Sequence, residues 1–234
     1  MSVHKTGCLI CGKELVYGAT EKLECLYCHK LFNASVKCKD GHFVCDTCHS
    51  MPAGDLIENY CATSTGEDPL ELALNLMKSP QIKMHGPEHH FLVPAVLLAA
   101  YYNVKKDYAM KSPKLMEARF RASNVLGGFC GFYGDCGAAV GTGIFIALVT
   151  NSTPLSKEEW KLSNTMTAKS LLTIANHGGP RCCKRNSFLA INKAVTFVKE
   201  NLGVEMKISR KIRCGFSDLN KECLQNKCPF YSKD

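Results

Sequence analysis

The chain has 234 residues, a formal net charge of +8 and a hydrophobic fraction of 46%. That suits a small module joined to one domain of ordinary size with a real core. The longest apolar runs, Phe91–Tyr102 and Cys136–Val149, fall short of the roughly 20 residues a bilayer demands, so no membrane role is expected.

Fifteen cysteines dominate the composition. The opening Met1-Ser-Val-His-Lys5 lacks the apolar core of an export signal, and Cys8 follows almost at once. A cytoplasmic location is therefore expected, where metal ligation explains many cysteines better than disulfides do. The Lys and Arg residues are scattered, as on a solvated basic surface. The charge tolerates RNA as a partner, but no stacking aromatic array supports it.

Residues 1–52 carry seven of the cysteines in paired spacings: Cys8-x2-Cys11, Cys25-x2-Cys28, Cys38-x3-His42 and Cys45-x2-Cys48. A CxxC knuckle places two sulfurs on one side of a tight turn, near the separation tetrahedral zinc requires. Seven thiols and one imidazole make eight ligands, enough for two closed sites and about two Zn²⁺; iron is the alternative metal. The pairs can combine sequentially, as in a zinc ribbon, or interleave as in a cross-brace, and spacing leaves both open. His49 competes with His42 as the eighth ligand; the CKDGHFVC turn favours His42. A closed site has no open position for substrate, so this module is expected to stabilise the chain or dock a protein partner.

Residues 53–66 read as a linker and residues 67–234 as a compact helical domain, giving a mainly α fold with a cysteine-rich two-site head. Glu67-Asp68-Pro69 marks a helix start with Pro at its first position. Pro87 introduces the apolar run from Phe91, which Pro94 is expected to kink. Ser112-Pro113 is expected to open the helix KLMEARFRAS. Ser156 to Glu159 reads as a capping box for a helix reaching about Ala175. Asn186 to Asn201 is expected to be helical and to end at Gly203, and VEMKIS (204–209) alternates like a strand.

The helical domain holds a second cysteine set. Cys130 and Cys136 lie in the Gly-dense GGFCGFYGDCGAAVGTG, where backbone can approach a bulky ligand closely. Cys182 and Cys183 lie in NHGGPRCCKRN. Cys214, Cys223 and Cys228-Pro229 close the chain without an assigned role, as does Cys61. His85-Gly-Pro-Glu88-His89-His90 matches H-x-x-E-H, the inverzincin pattern. With Pro87 at a helix start, His85 falls outside the helix, so the protease reading is not adopted. The segment instead suggests Glu88 as base or ligand, with His85, His89 or His90 as acid or ligand, beside the cysteines.

Two resemblances follow from these residues. Cys136-Gly-Ala-Ala-Val-Gly141 resembles the core of proteins assigned a redox role and named for a C-GCAxxG-C-C pattern. The same stretch, with Pro180-Arg-Cys182-Cys183-Lys-Arg185-Asn186, is similar to the iron–sulfur L-serine dehydratases. The resemblance covers roughly residues 127–198 and implies a 4Fe–4S cluster on Cys136 and Cys182, completed by Cys130, Cys183 or a tail cysteine. The HGPEHH motif also resembles an uncharacterised domain family of anaerobes and archaea, which implies no activity. The expected function is redox or sulfur handling with structural zinc and a cluster. A cluster-dependent lyase on a small hydroxy or thiol acid and a non-catalytic zinc-ribbon adaptor are the alternatives.

Overall fold

The computed structural model describes residues 8–209 and 211–232. The segment 1–5, read above for an export signal, lies outside them. The fold is mainly α, with a single two-stranded sheet among the described residues.

Strands β1 (Leu15–Glu24) and β2 (Leu31–Cys38) form an antiparallel hairpin, paired from Leu15 opposite Cys38 to Glu24 opposite Leu31. The pairing is irregular between Tyr17 and Glu21, where extra residues on one strand bend a hairpin. Beyond the bend, Leu26 N–H donates to Phe43 O at 2.9 Å, tying the hairpin turn to the segment after β2. The short helix α1 (Asp46–Ser50) completes the head.

Residues 53–66 are not a free linker. They contain helix α2 (Ala53–Thr63), which buries Leu56, Ile57, Tyr60 and Cys61. Those positions recur with the spacing of one helical face, which prevails over the polar look of the segment. The turn that follows is pinned from the core. Asn103 Nδ2 donates to Ser64 O at 3.0 Å and Gly66 O at 2.8 Å, and Lys111 Nζ donates to Ser64 O at 2.8 Å.

Helix α3 (Pro69–Met77) starts at Pro69, with the Asp68 carboxylate capping Leu70 and Glu71. Helix α4 (Glu88–Lys105) is the centre of the domain, buried on every side from Phe91 to Asn103. A helix apolar all round belongs in a core, and α2, α3, α5 (Tyr108–Ser123), α7 (Gly137–Val149) and α9 (Cys183–Leu202) all pack on it. One helical span runs through Pro94. That ring removes a hydrogen bond to the His90 carbonyl, and both groups lie against Gly141 of α7, where a side chain would not fit. The one-turn α6 (Phe129–Phe132) precedes α7, and α8 (Glu158–Asn176) packs between α7 and α9.

Three local expectations change. The α5 helix begins at Tyr108 rather than after Pro113, which it contains. Ser156 does not cap α8; its hydroxyl accepts from Thr153 N–H at 3.0 Å, a turn of its own. Residues 204–209 are not a strand: Lys207 N–H finds Glu67 O at 3.1 Å and Ser209 N–H finds the Asp68 carboxylate at 2.7 Å. Alternation without a neighbouring strand gives extended chain, not a sheet. Among the described residues no helix is long and apolar enough to cross a membrane.

Candidate metal centres

Each knuckle is built by its own turn. Cys8 O accepts from Gly12 N–H at 2.8 Å, and Cys8 Sγ accepts from Ile10 N–H at 3.4 Å. The second knuckle repeats the turn, with Cys25 O accepting from His29 N–H at 2.9 Å. His29 takes φ 55° where Gly12 takes φ 73°. In the third, Gly41 N–H bonds Cys38 O at 2.7 Å and Asp40 N–H bonds Cys38 Sγ at 3.4 Å. The fourth pair brackets the start of α1, and Cys45 N–H donates to Cys25 Sγ at 3.4 Å.

The bent hairpin then brings alternate pairs together. Cys8, Cys11, Cys38 and His42 form one quartet and Cys25, Cys28, Cys45 and Cys48 the other; within each, one ligand atom per residue lies within 4.8 Å of the rest. Cys11 Sγ is 3.4 Å from Cys38 Sγ, Cys28 Sγ is 3.9 Å from Cys45 Sγ, and Cys8 Sγ is 3.9 Å from His42 Nδ1. A tetrahedron with metal–sulfur bonds of about 2.3 Å has edges of about 3.8 Å. Either quartet can thus hold one metal ion, and the geometry is compatible with zinc. The first pair joins the third and the second joins the fourth, which is the interleaved arrangement. His42 sits in the first quartet and His49 in neither. Burial pushes the Cys8 thiol up to about 11, so a metal entering this site displaces protons.

The head is docked on the helical domain. Tyr27 meets Tyr60 of α2 edge-on with ring centroids 5.9 Å apart, and Gln81 donates to His49 O. Between the two parts lies a cavity of about 580 Å³, where Ile10 and Cys11 face Lys184, Arg213 and Phe216.

The seven remaining thiols of the helical domain fall into two groups around the start of α9. Cys182 lines one cavity with Cys214, Cys223 and Cys228. Cys130 and Cys136 line another, and Cys183 interacts with both of these. The four cysteines expected to share a cluster, Cys130, Cys136, Cys182 and Cys183, therefore do not surround one space. Arg185 borders both cavities. Asn186 Nδ2 donates to Cys136 Sγ at 3.6 Å. Burial raises the Cys136 and Cys182 thiols, and raises Cys183 and Cys214 to about 11. Cys61 is fully buried in the core, which raises its thiol and suits a packing role.

The HGPEHH segment wraps this region, and most of its polar atoms are engaged in holding it. Glu88 accepts from Lys83 N–H at 2.8 Å, and its carboxylate occupies the space beside Gly86 where a Cβ would be. His90 Nδ1 donates to Val125 O at 2.8 Å, and its ring covers Gly137, next to Cys136. His85 Nε2 bonds Asn220 Oδ1 at 3.2 Å, and Asn220 lines the four-cysteine cavity. The Gly86 backbone N–H is directed at Cys183 Sγ. His89 Nδ1 donates to Gly86 O at 3.1 Å while its buried Nε2 has no partner, and burial pushes its pKa down to about 3.

Residues 57–231 match the family described as "Family of unknown function (DUF5714)". The chain belongs to DUF5714. No curated protein and no solved structure matches it. The DUF5714 match starts inside α2, so it takes in that helix, HGPEHH and all seven cysteines around α9, and leaves the two-quartet head outside. Sequence reading admitted a tail cysteine as one ligand but gave Cys214, Cys223 and Cys228 no assigned role, because their spacings follow no ligand pattern; Cys228-Pro229 was the one signal.

Proposed function

We propose that this DUF5714 chain is a metal-thiolate protein of redox or sulfur handling. Two zinc ions hold its head as a docking module for a protein partner, and an iron–sulfur cluster serves the helical domain. The observation that carries the reading is the convergence of seven thiols from three distant segments on the start of α9, with four of them lining one cavity. Buried structural cysteines disperse through a core as Cys61 does; convergence is what ligation requires. Lyase chemistry would require a base free to reach substrate, and Glu88 and His90 are engaged by Lys83 and Val125.

Anaerobic purification followed by zinc, iron and acid-labile sulfide analysis tests this. About two zinc ions per chain are expected, together with iron and sulfide in equal amounts. A colourless, iron-free chain after anaerobic reconstitution would refute the iron–sulfur part, and absence of zinc would refute the other.

A further inference from the structure

We propose that Cys182, Cys214, Cys223 and Cys228 are the four ligands of a fully coordinated 4Fe–4S cluster, and that Cys130 and Cys136 are not ligands. This rests on the iron–sulfur reading above and names its ligand set.

The four sulfurs line a single cavity whose other walls include Phe188, Phe216 and Phe230. Three of them already accept backbone N–H groups in the manner of ligand turns. Arg185 N–H donates to Cys182 Sγ, Phe216 N–H to Cys214 Sγ and Gln225 N–H to Cys223 Sγ, each at 3.4 Å. The i+2 bonds of Cys214 and Cys223 are those of the head ligands Cys8 and Cys38, and the i+3 bond of Cys182 is the cap of α9. Such bonds stabilise thiolates and set the potential of the metal they hold.

Spacing separates a cluster from a single ion. Among the described residues only the two head quartets gather three or more ligand atoms mutually within 4.8 Å. The Cys182 set is more open than either. A lone tetrahedral zinc needs edges of about 3.8 Å, whereas in a cubane each thiolate binds a different iron and the sulfurs stand further apart. The void itself is tight, about 20 Å³ for the centre of a water-sized sphere. Seating the inorganic core would require the 214–228 loop to shift outward; that loop is built of turns and two one-turn 3₁₀ segments, with Phe216 and Asn220 buried.

Charge supplies an independent argument. Four thiolates on a cluster leave a net negative charge. Cys182 caps the 20-residue α9, whose N-terminus favours an anion. Arg185, only 3% exposed, borders the cavity with its Nη1 unpartnered. Buried Lys184 sits 5.0 Å above the Phe216 ring. An anionic cluster gives Arg185 a counter-charge that the unloaded cavity lacks, whereas the Lys184 ammonium is held outside this cavity by the Met77 and Ile82 carbonyls. With four protein ligands no iron keeps an open position, so the centre carries electrons or holds the fold rather than binding substrate.

The test uses the full chain, reconstituted anaerobically with iron and sulfide. Parent protein should take up about four irons. Cys182→Ser, Cys214→Ser, Cys223→Ser and Cys228→Ser should each lose most of the visible absorption, and Cys130→Ser and Cys136→Ser should keep it. Because a ligand variant can misfold, the parent is also alkylated with iodoacetamide and mapped by mass spectrometry. The four ligand thiols should react about tenfold more slowly when loaded than after iron chelation, with Cys130 and Cys136 unchanged. Iron bound by the parent but lost in Cys136→Ser and kept in Cys214→Ser and Cys223→Ser would overturn this ligand set and leave the iron–sulfur reading standing. A third zinc in place of iron would overturn both.

Discussion

The head and the helical domain bring cysteines together by opposite means. In the head, ligands with two or three residues between them are set by their own turns, and one bent hairpin has only to bring finished pairs face to face. Around α9, Cys182 must meet three thiols more than thirty residues away, and each comes from a separate turn. The first arrangement is specified locally and completed by metal. The second depends on a packed core already being in place.

This difference sets what each part should lose when challenged. The largest effect is expected from zinc removal. Structural zinc contributes apparent energies of order 10 kcal/mol in small modules, and the head buries little besides its ligands. Chelation under reducing conditions should abolish amide-exchange protection in β1 and β2 while α4 keeps its own. Loss of protection in both at once would erase the distinction. A smaller effect is expected from Asn103→Leu, which takes one bond each from Lys111 Nζ and the Ser64 carbonyl and removes the Asn103 donor from the Gly66 carbonyl. It should cost about 3 kcal/mol in denaturant unfolding, equally with and without metal. A cost seen only in the metal-loaded chain would mean that the core is metal-dependent too.

The smallest effect at neutral pH concerns His89. Its pKa in the fold, about 3, lies below its ordinary value because burial disfavours the imidazolium, with Lys184 adding to the effect. The unfolded chain binds this proton first, so stability is full above about pH 6.5 and is lost as pH falls toward 3. Imidazole NMR should show His89 still neutral at pH 5. His89→Gln should flatten the acid limb of the stability curve. A His89 titrating near 6.5 would mean that the start of α4 is open to water.

What could be read from the sequence follows the same division. The eight residues of the two quartets stood out because each pair is a turn complete in itself, and Asp68-Pro69 announced α3 because a cap is local. The interleaving of the pairs did not, since it depends on which pairs the hairpin and the segment after it bring together. Helix α2 was hidden in polar residues, although Leu56, Ile57, Tyr60 and Cys61 carried its face. Cys136 and Cys182 were grouped by their Gly- and Pro-rich surroundings, and composition says nothing of which wall a side chain faces.

That last point has a consequence for the doublet Cys182-Cys183. These neighbours face different cavities because Cys182 is the extended cap of α9 and Cys183 its first helical residue. The doublet works as a partition one peptide thick, with the tail thiols on one side and Cys130 and Cys136 on the other. Deleting one residue between Gly178 and Arg181 would pull the chain forward by one place, putting Cys183 at the address of Cys182 and Lys184 at that of Cys183 without removing a single sulfur. The length of that turn, more than the identity of any residue in it, is what an insertion or deletion scan should find intolerant.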